Sequence, residues 1–234
     1  MDKRFLLIWF CILTFLAGGV NAISIVGYNA MTISHITGLL SRVAIYTTFG
    51  NPTFIMEFLK PLLAFFLGAL VSGFVTGERK FILKKRYGFI ILTIGVLIIV
   101  AYFLDVNWSI MLFAFIMGMQ NGMVVSFKGV VVRMTHMSGN VTDLAVFLGY
   151  KLRGNKNEAP ITGIIPFLAI VSFFVGGIVA VCVYKLIFNV IFFIISGIYV
   201  FLSIIYFIFR QRCIDKDFNG IPDELEKDNK EIAQ

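Results

Sequence analysis

The chain reads FLAGGVNA over residues 15–22 and FIMGMQNG over residues 115–122. A second pair follows, because SHITG over residues 34–38 is matched by THMSG over residues 135–139. The two matches keep the same order, and their separations are 100 and 101 residues. Repeats of this kind predict a fold built from two related halves.

The composition is typical of a membrane protein. Of 234 residues, 59% are hydrophobic and only 14% are charged, and the mean hydropathy is +0.93. Globular chains carry roughly 25% charged residues. So few charges exclude a soluble enzyme, a disordered protein and a disulfide-stapled secreted domain. Since one span takes about 20 residues, this length suits about six spans with short loops.

Six apolar runs are long enough to cross a bilayer. They do not alternate between apolar and polar residues as barrel strands do, and open sheets are excluded in lipid, so we expect helices. The first run also resembles a signal peptide ending near Asn21, but the recurrence of this region in mid-chain favours a span. The runs cover roughly Phe5–Val26, Phe54–Thr76, Tyr87–Leu104, Trp108–Phe127, Ile161–Tyr184 and Leu186–Phe209.

The basic residues predict the orientation. With the N-terminus inside, 17 of the 20 Lys and Arg residues fall on the cytoplasmic side, and only Arg42, Lys60 and Lys185 fall outside. This is the positive-inside bias. It predicts a multi-pass protein with both termini cytoplasmic, and it explains the net charge of +7 without nucleic acid.

A third match, FFLG over residues 65–68 and FFVG over residues 173–176, divides the six spans into two groups of three. Because three is odd, the repeats are expected to be inverted in the membrane. We therefore predict an all-α polytopic membrane protein of six transmembrane helices in two inverted three-span repeats. The membrane domain is expected over residues 1–209, with repeats over about 5–104 and 108–209, before a polar cytoplasmic tail over residues 210–234.

Each repeat also contains a polar motif segment, Tyr28–Gly50 in the first and Lys128–Tyr150 in the second. If both segments crossed fully, the charge bias would nearly vanish. We therefore expect re-entrant or broken helices, with Gly38 and Gly139 as break points, because glycine tolerates unusual backbone conformations. Such backbone is allowed at membrane depth where it is buried in protein or lines water.

The polar residues of these segments are the candidate site. Two histidines could carry protons, bind a metal or hydrogen-bond a solute. They could instead cap a helix or bond a backbone carbonyl at the repeat interface. The amides of Asn21, Gln120 and Asn121 could bind a solute or join helices. The expected lining residues are Asn21, His35, Thr37, Gly38, Asn121, His136, Ser138, Gly139 and Asn140.

These motifs resemble the YoaK-like family of bacterial integral membrane proteins of unknown function. That family has a Gly-x-x-Asn/Asp pattern at the end of the first span, a Thr-Gly-Asn-type motif after it and a second copy in the later half. The patterns here are GGVN at 18–21, HITG at 35–38, GMQN at 118–121 and HMSGN at 136–140. The resemblance covers most of residues 5–209 and implies a multi-span inner-membrane fold without an assigned activity. The copies differ where Leu39 corresponds to Asn140.

Other features predict packing or surface contacts. Gly68, Gly73 and Gly176 suggest closely packed helices. Glu57 and Lys60, three residues apart, are expected to form an ion pair at the outer interface.

The tail from Asp215 to Glu226 fits the calcium-loop pattern D-x-[DN]-x-[DN]-G-x5-E. A weak calcium site there competes with a solvated acidic tail as the interpretation, because Pro222 and the absence of a second loop are atypical of an EF-hand. The ligands would be Asp215, Asp217, Asn219, Ile221 through its carbonyl, Asp223 and Glu226.

The leading hypothesis is a small-solute transporter or channel with its site at the interface of the repeats. The alternative is a non-transporting sensor or scaffold that contacts a cytoplasmic partner through the tail or the basic loop Arg79–Arg86. The predicted partners are the lipid bilayer and an unidentified small solute or ion, with a homo-oligomer left open and no nucleic acid. We expect no enzyme, because no nucleophile elbow, phosphate loop or His-Glu-x-x-His motif occurs.

Overall fold

The computed structural model describes residues 3–28, 33–77, 84–123, 125–127, 130–155 and 157–214. Within these ranges the chain forms eight helices and one short antiparallel hairpin. The helices are α1 (Lys3–Gly27), α2 (Ile36–Thr48), α3 (Pro52–Thr76), α4 (Lys85–Phe103), α5 (Val106–Gly122), α6 (Met137–Leu152), α7 (Ile161–Ile187) and α8 (Val190–Ile214). The strands are β1 (Val125–Phe127) and β2 (Val130–Val132).

Five of these helices, α1, α3, α4, α7 and α8, are long and apolar enough to cross a membrane. Their outer surfaces keep large apolar side chains exposed, such as Leu67, Phe74 and Phe201. Exposed apolar surface on this scale is typical of contact with lipid. The chain is therefore a helical, multi-pass membrane protein.

The predicted C-terminal end of the fourth apolar run was wrong. The run was expected to be helical to Phe127, but α5 ends at Gly122 after 17 residues and β1 follows. In the hairpin Val125 pairs with Val132 and Phe127 with Val130. Valine is β-branched and favours strands, and a short apolar run cannot be assigned to helix or strand by periodicity. The fold is thus almost, but not entirely, helical.

The sequence-matched stretches pack against each other in crossed pairs. A methyl group at Gly18 of α1 would overlap the backbone carbonyl of Phe173 in α7, and one at Gly176 would overlap that of Phe15. Farther along, Gly19 approaches Ala180 and Gly177 approaches Ala22, so α1 and α7 run parallel. The first stretch of one half therefore contacts the later stretch of the other half.

The second crossed pair joins α3 and α5 in the same way. A methyl group at Gly68 would overlap the carbonyl of Phe115, and one at Gly118 would overlap that of Phe65. Gly122 approaches Ala69 and Ser72, so these helices also run parallel. The predicted close packing is confirmed for Gly68 and Gly176 but is wrong for Gly73, which has no described atom within 4 Å of an added methyl group.

The third pair, α4 and α8, is antiparallel and is joined by hydroxyl groups. The Ser196 hydroxyl donates to the carbonyl of Gly95 at 2.7 Å, and the Ser203 hydroxyl donates to that of Gly88 at 3.0 Å. Both serines are buried. Such bonds stabilise helix pairs in lipid, where water does not compete for the polar groups.

A buried amide connects three helices at the centre of the core. The side-chain amide nitrogen Nε2 of Gln120 donates to the carbonyl of Leu13 in α1 at 2.7 Å. Its Oε1 accepts from the Tyr199 hydroxyl in α8 at 2.9 Å. Both bonds are buried. Gln120 therefore joins helices, which was one of its two predicted roles.

The short helices α2 and α6 each form a hairpin with the helix that follows. Gly50 and Gly154 have φ of +61° and +85° and end the two helices. Asn51 then caps α3 by accepting from the Phe54 N–H at 3.3 Å. A left-handed glycine after the last turn lets the chain reverse. Each short helix consequently lies beside α3 or α7.

We predict that Gly68→Ala destabilises the protein by about 1–3 kcal/mol, because its methyl group meets backbone that no rotamer change can move. Gly73→Ala in the same helix is the matched control. It should be neutral or stabilising by up to about 1 kcal/mol, because alanine favours helix. The measurement is the free energy of unfolding of the purified protein in mixed micelles. Equal stabilities of the two variants would contradict this packing.

We also predict that Gln120→Leu and Tyr199→Phe are coupled. In a double-mutant cycle the coupling free energy should be about 0.6–1.7 kcal/mol, the range of interhelical hydrogen bonds in membranes. The same unfolding measurement supplies all four values. Strictly additive effects would show that the Gln120–Tyr199 bond contributes no stability.

Candidate functional site

A cleft of about 470 Å³, called here the central cleft, opens between the two halves of the chain. Its lining residues form matched pairs, one member from each half. The pairs are Asn21 and Asn121, Ser34 and Thr135, His35 and His136, Ile36 and Met137, Thr37 and Ser138, and Phe65 and Phe173. The repeated motifs thus meet at one place.

The central cleft lies near the middle of the long helices. Phe65 is close to the midpoint of α3, which spans Pro52–Thr76, and Phe173 is close to the midpoint of α7, which spans Ile161–Ile187. The glycine contacts of the two crossed helix pairs occur at the same level. The close packing that holds the halves together therefore also fixes the position of the cleft.

His35 and His136 occupy equivalent positions, immediately before the first turns of α2 and α6. Their backbone angles agree closely, with φ and ψ of −89° and 68° for His35 and −88° and 65° for His136. Neither side chain makes a capping hydrogen bond, and both histidines are exposed. The two imidazoles therefore do not cap these helices, which was one of their predicted roles.

Gly38 and Gly139 are not the break points. Both lie inside the first turn of a helix, and neither has a positive φ. A methyl group at Gly38 would lie 2.5 Å from Nδ1 of His35, and one at Gly139 would overlap the His136 ring. The glycines therefore leave room for the imidazoles to lie against the helix ends. Each short helix begins at the residue that follows its histidine.

The first turns of α2 and α6 face the cleft through Ile36, Thr37, Met137 and Ser138. The first N–H groups of a helix have no partner within the helix. They also carry the positive end of the helix dipole. Two such helix ends at one cleft provide hydrogen-bond donors from both halves.

The two asparagines of the cleft differ in their bonding. The Ser34 hydroxyl donates to Oδ1 of Asn21 at 2.7 Å. Within the described residues, Oδ1 of Asn121 is buried and accepts no hydrogen bond, although its neighbour Thr135 corresponds to Ser34. A buried amide oxygen without a partner costs about 1–3 kcal/mol. The pair is thus matched in position but not in hydrogen bonding.

Three of the nine predicted residues do not line the central cleft. Gly38 and Gly139 lie behind the histidines, and Asn140 is buried with its Nδ2 4.0 Å from Sδ of Met137. Sequence reasoning missed six lining residues, although all of them lie in the matched stretches: Ser34, Ile36, Phe65, Thr135, Met137 and Phe173. The match itself was the signal that could have identified them.

The predicted calcium ligands from Asp215 to Glu226 lie outside the described residues, and the calcium site stays a prediction. Most of the basic loop Arg79–Arg86 lies outside them as well. Among the described residues no group of three or more His, Cys, Asp or Glu side chains could hold a metal ion.

Comparison with known proteins identifies a family. Residues 9–205 match the model of DUF1275, described as a protein of unknown function. No curated protein and no solved structure matches the chain. The YoaK-like resemblance stays a prediction. The match extends from α1 into α8 and includes every residue of the central cleft. This chain is a helical membrane protein that belongs to the DUF1275 family of proteins of unknown function.

Proposed function

We propose that this protein is a transporter or channel that moves a small polar solute or ion across the bacterial inner membrane through the central cleft. The observation that carries the proposal is the set of matched polar pairs, such as His35 with His136, around one open volume. Close packing of the two polar motifs without any open volume would have favoured the alternative, a non-transporting sensor or scaffold. An open, polar-lined cleft instead offers a path for a hydrated solute.

Two inverted three-span repeats account for the helix pairing. In this arrangement α1, α3 and α4 form the first repeat, and α5, α7 and α8 form the second. The parallel pairs α1–α7 and α3–α5 and the antiparallel pair α4–α8 agree with six alternating crossings. The span that completes the six is α5, the fourth in chain order. It has 17 residues and is about 25 Å long, slightly shorter than a hydrocarbon core of about 30 Å.

The helices α2 and α6 then enter the membrane from opposite sides without crossing it. With 13 residues, α2 is about 20 Å long and reaches only from the central cleft to the beginning of α3. Half-helices whose N-termini point to the midplane form the binding sites of several transporter folds. In this proposal both termini of the chain are cytoplasmic, as the basic residues predict.

The cleft chemistry suits a small hydrogen-bonding solute. Hydroxyls come from Ser34, Thr37, Thr135 and Ser138, and the helix ends add N–H donors. Oδ1 of Asn121, which is buried and accepts no hydrogen bond from the described residues, could accept one from a solute that enters this part of the cleft. The imidazoles of His35 and His136 can each donate and accept a hydrogen bond.

We predict that purified protein in proteoliposomes passes at least one of a panel of small solutes, consisting of urea, glycerol, formate, nitrate, ammonium and glycine. His35→Ala and His136→Ala should each reduce that flux at least about tenfold, the effect of losing one hydrogen bond of about 1.4 kcal/mol. Stopped-flow light scattering and a pH-sensitive dye measure the flux. Phe201→Ala, on the exposed apolar surface, is the control and should behave like the wild type.

Flux no faster than in empty liposomes for every solute of the panel would contradict transport and favour the sensor or scaffold. Wild-type flux in both histidine variants would remove the imidazoles from the path.

A further inference from the structure

A second cleft, called here the outer cleft, lies between the beginnings of α3 and α5 and has a volume of about 710 Å³. The outer cleft and the central cleft share no lining residue. The walls of the outer cleft are largely apolar and include Met56, Trp108 and Met111. In the proposed topology this end of α3 and α5 faces the outside of the cell.

Three acidic or basic side chains line the outer cleft, namely Glu57, Lys60 and Asp105. Asp105 already has a structural role, because its Oδ1 accepts from the N–H groups of Asn107 at 3.0 Å and Trp108 at 3.3 Å and so caps α5. Glu57 and Lys60 have no such role. The charged groups of the cleft that are not engaged in capping a helix are therefore one carboxylate and one ammonium.

The expected ion pair between Glu57 and Lys60 is not formed. No hydrogen bond or ion pair within the described part of the chain engages either side chain, although the two are three residues apart on one helix face. Their charges are thus adjacent but separately exposed to the cleft. An exposed helical pair of this kind gains too little energy from pairing to hold both side chains in one geometry.

Lys60 lies inside α3 rather than at its end, and its side chain is exposed where it lines the outer cleft. It lies eight residues after Pro52, the first residue of α3, and so about 12 Å along the helix. Ionisable residues within spans face a cavity or a partner and mark solute paths, because a charge in hydrocarbon is unfavourable. Lys60 lines the cleft, where a bound anionic group can compensate its charge.

We propose that the outer cleft binds a zwitterionic amino acid with an apolar side chain. The ligand carboxylate pairs with the Lys60 ammonium and the ligand ammonium with the Glu57 carboxylate. The apolar side chain packs against Met56, Trp108 and Met111. The proposal takes from the proposed function only the orientation of the cleft, and binding holds or fails independently of flux.

The test compares three probes that share one carbon skeleton. L-leucine carries both charges, 4-methylpentanoate carries only the carboxylate, and 3-methylbutylamine carries only the ammonium. Their binding to the full-length protein in detergent is measured by saturation-transfer NMR and calorimetry. Wild-type protein should bind leucine about tenfold more tightly than either single-charge probe, as expected for one lost charge-assisted hydrogen bond.

The variants separate the two charges. Lys60→Met and Glu57→Gln should each weaken leucine binding about tenfold, and the exchange variant with Glu57→Lys and Lys60→Glu should recover most of it. Lys185→Met is the matched control, because this cation at the end of α7 does not line the cleft. Thermal melting confirms that each variant is folded.

Three results would overturn the proposal. They are no leucine binding by the wild type, leucine binding unchanged in Lys60→Met, and 4-methylpentanoate binding as tight as that of leucine. The last result would identify a simple anion site. Leucine binding without any flux would leave this proposal standing and would contradict only transport.

Discussion

Close backbone contact at four glycines is the constraint on which the rest of the structure depends. Gly18, Gly68, Gly118 and Gly176 each lie against the backbone of a phenylalanine from the other half. In lipid there is no hydrophobic force to drive helices together, so tight packing and hydrogen bonds must do so. The four contacts bring α1 to α7 and α3 to α5, and they interlock the two halves of the chain.

This interlocking brings the polar motifs together. Phe65 and Phe173 take part in the glycine contacts and also line the central cleft. His35 and His136, which directly precede α2 and α6, meet at this cleft. One packing arrangement therefore accounts both for the core and for a polar site at the middle of apolar helices.

Much of this arrangement could be predicted from the repeats. The positions of Asn21, Asn121, His35 and His136 followed from matching stretches, because equivalent residues meet when two halves pack symmetrically. The roles of Gly38 and Gly139 could not be predicted in this way. Glycine accommodates unusual backbone angles and also leaves space for a neighbour, and sequence alone does not distinguish the two. The structure shows that here the space is needed by the imidazoles.

The residue at which α5 ends could not be predicted from the sequence either. The valine-rich run after Gly122 continues the apolar stretch, and only tertiary structure shows that it forms a hairpin. The unpaired charges of Glu57 and Lys60 were missed for a related reason, since their spacing permits a contact that the side chains do not make. Spacing defines which groups are close, whereas their actual pairing depends on what else surrounds them.

The central claim is that water reaches both polar motifs at one cleft in the middle of the membrane. The most direct test is the reaction of single cysteines with a small charged thiol reagent in membrane vesicles. Cys11, Cys182 and Cys213 are first replaced by alanine. The account predicts rapid modification of Thr37→Cys and Ser138→Cys, and none of the lipid-facing control Phe201→Cys. Thr37→Cys and Ser138→Cys variants that are both as unreactive as this control would contradict it.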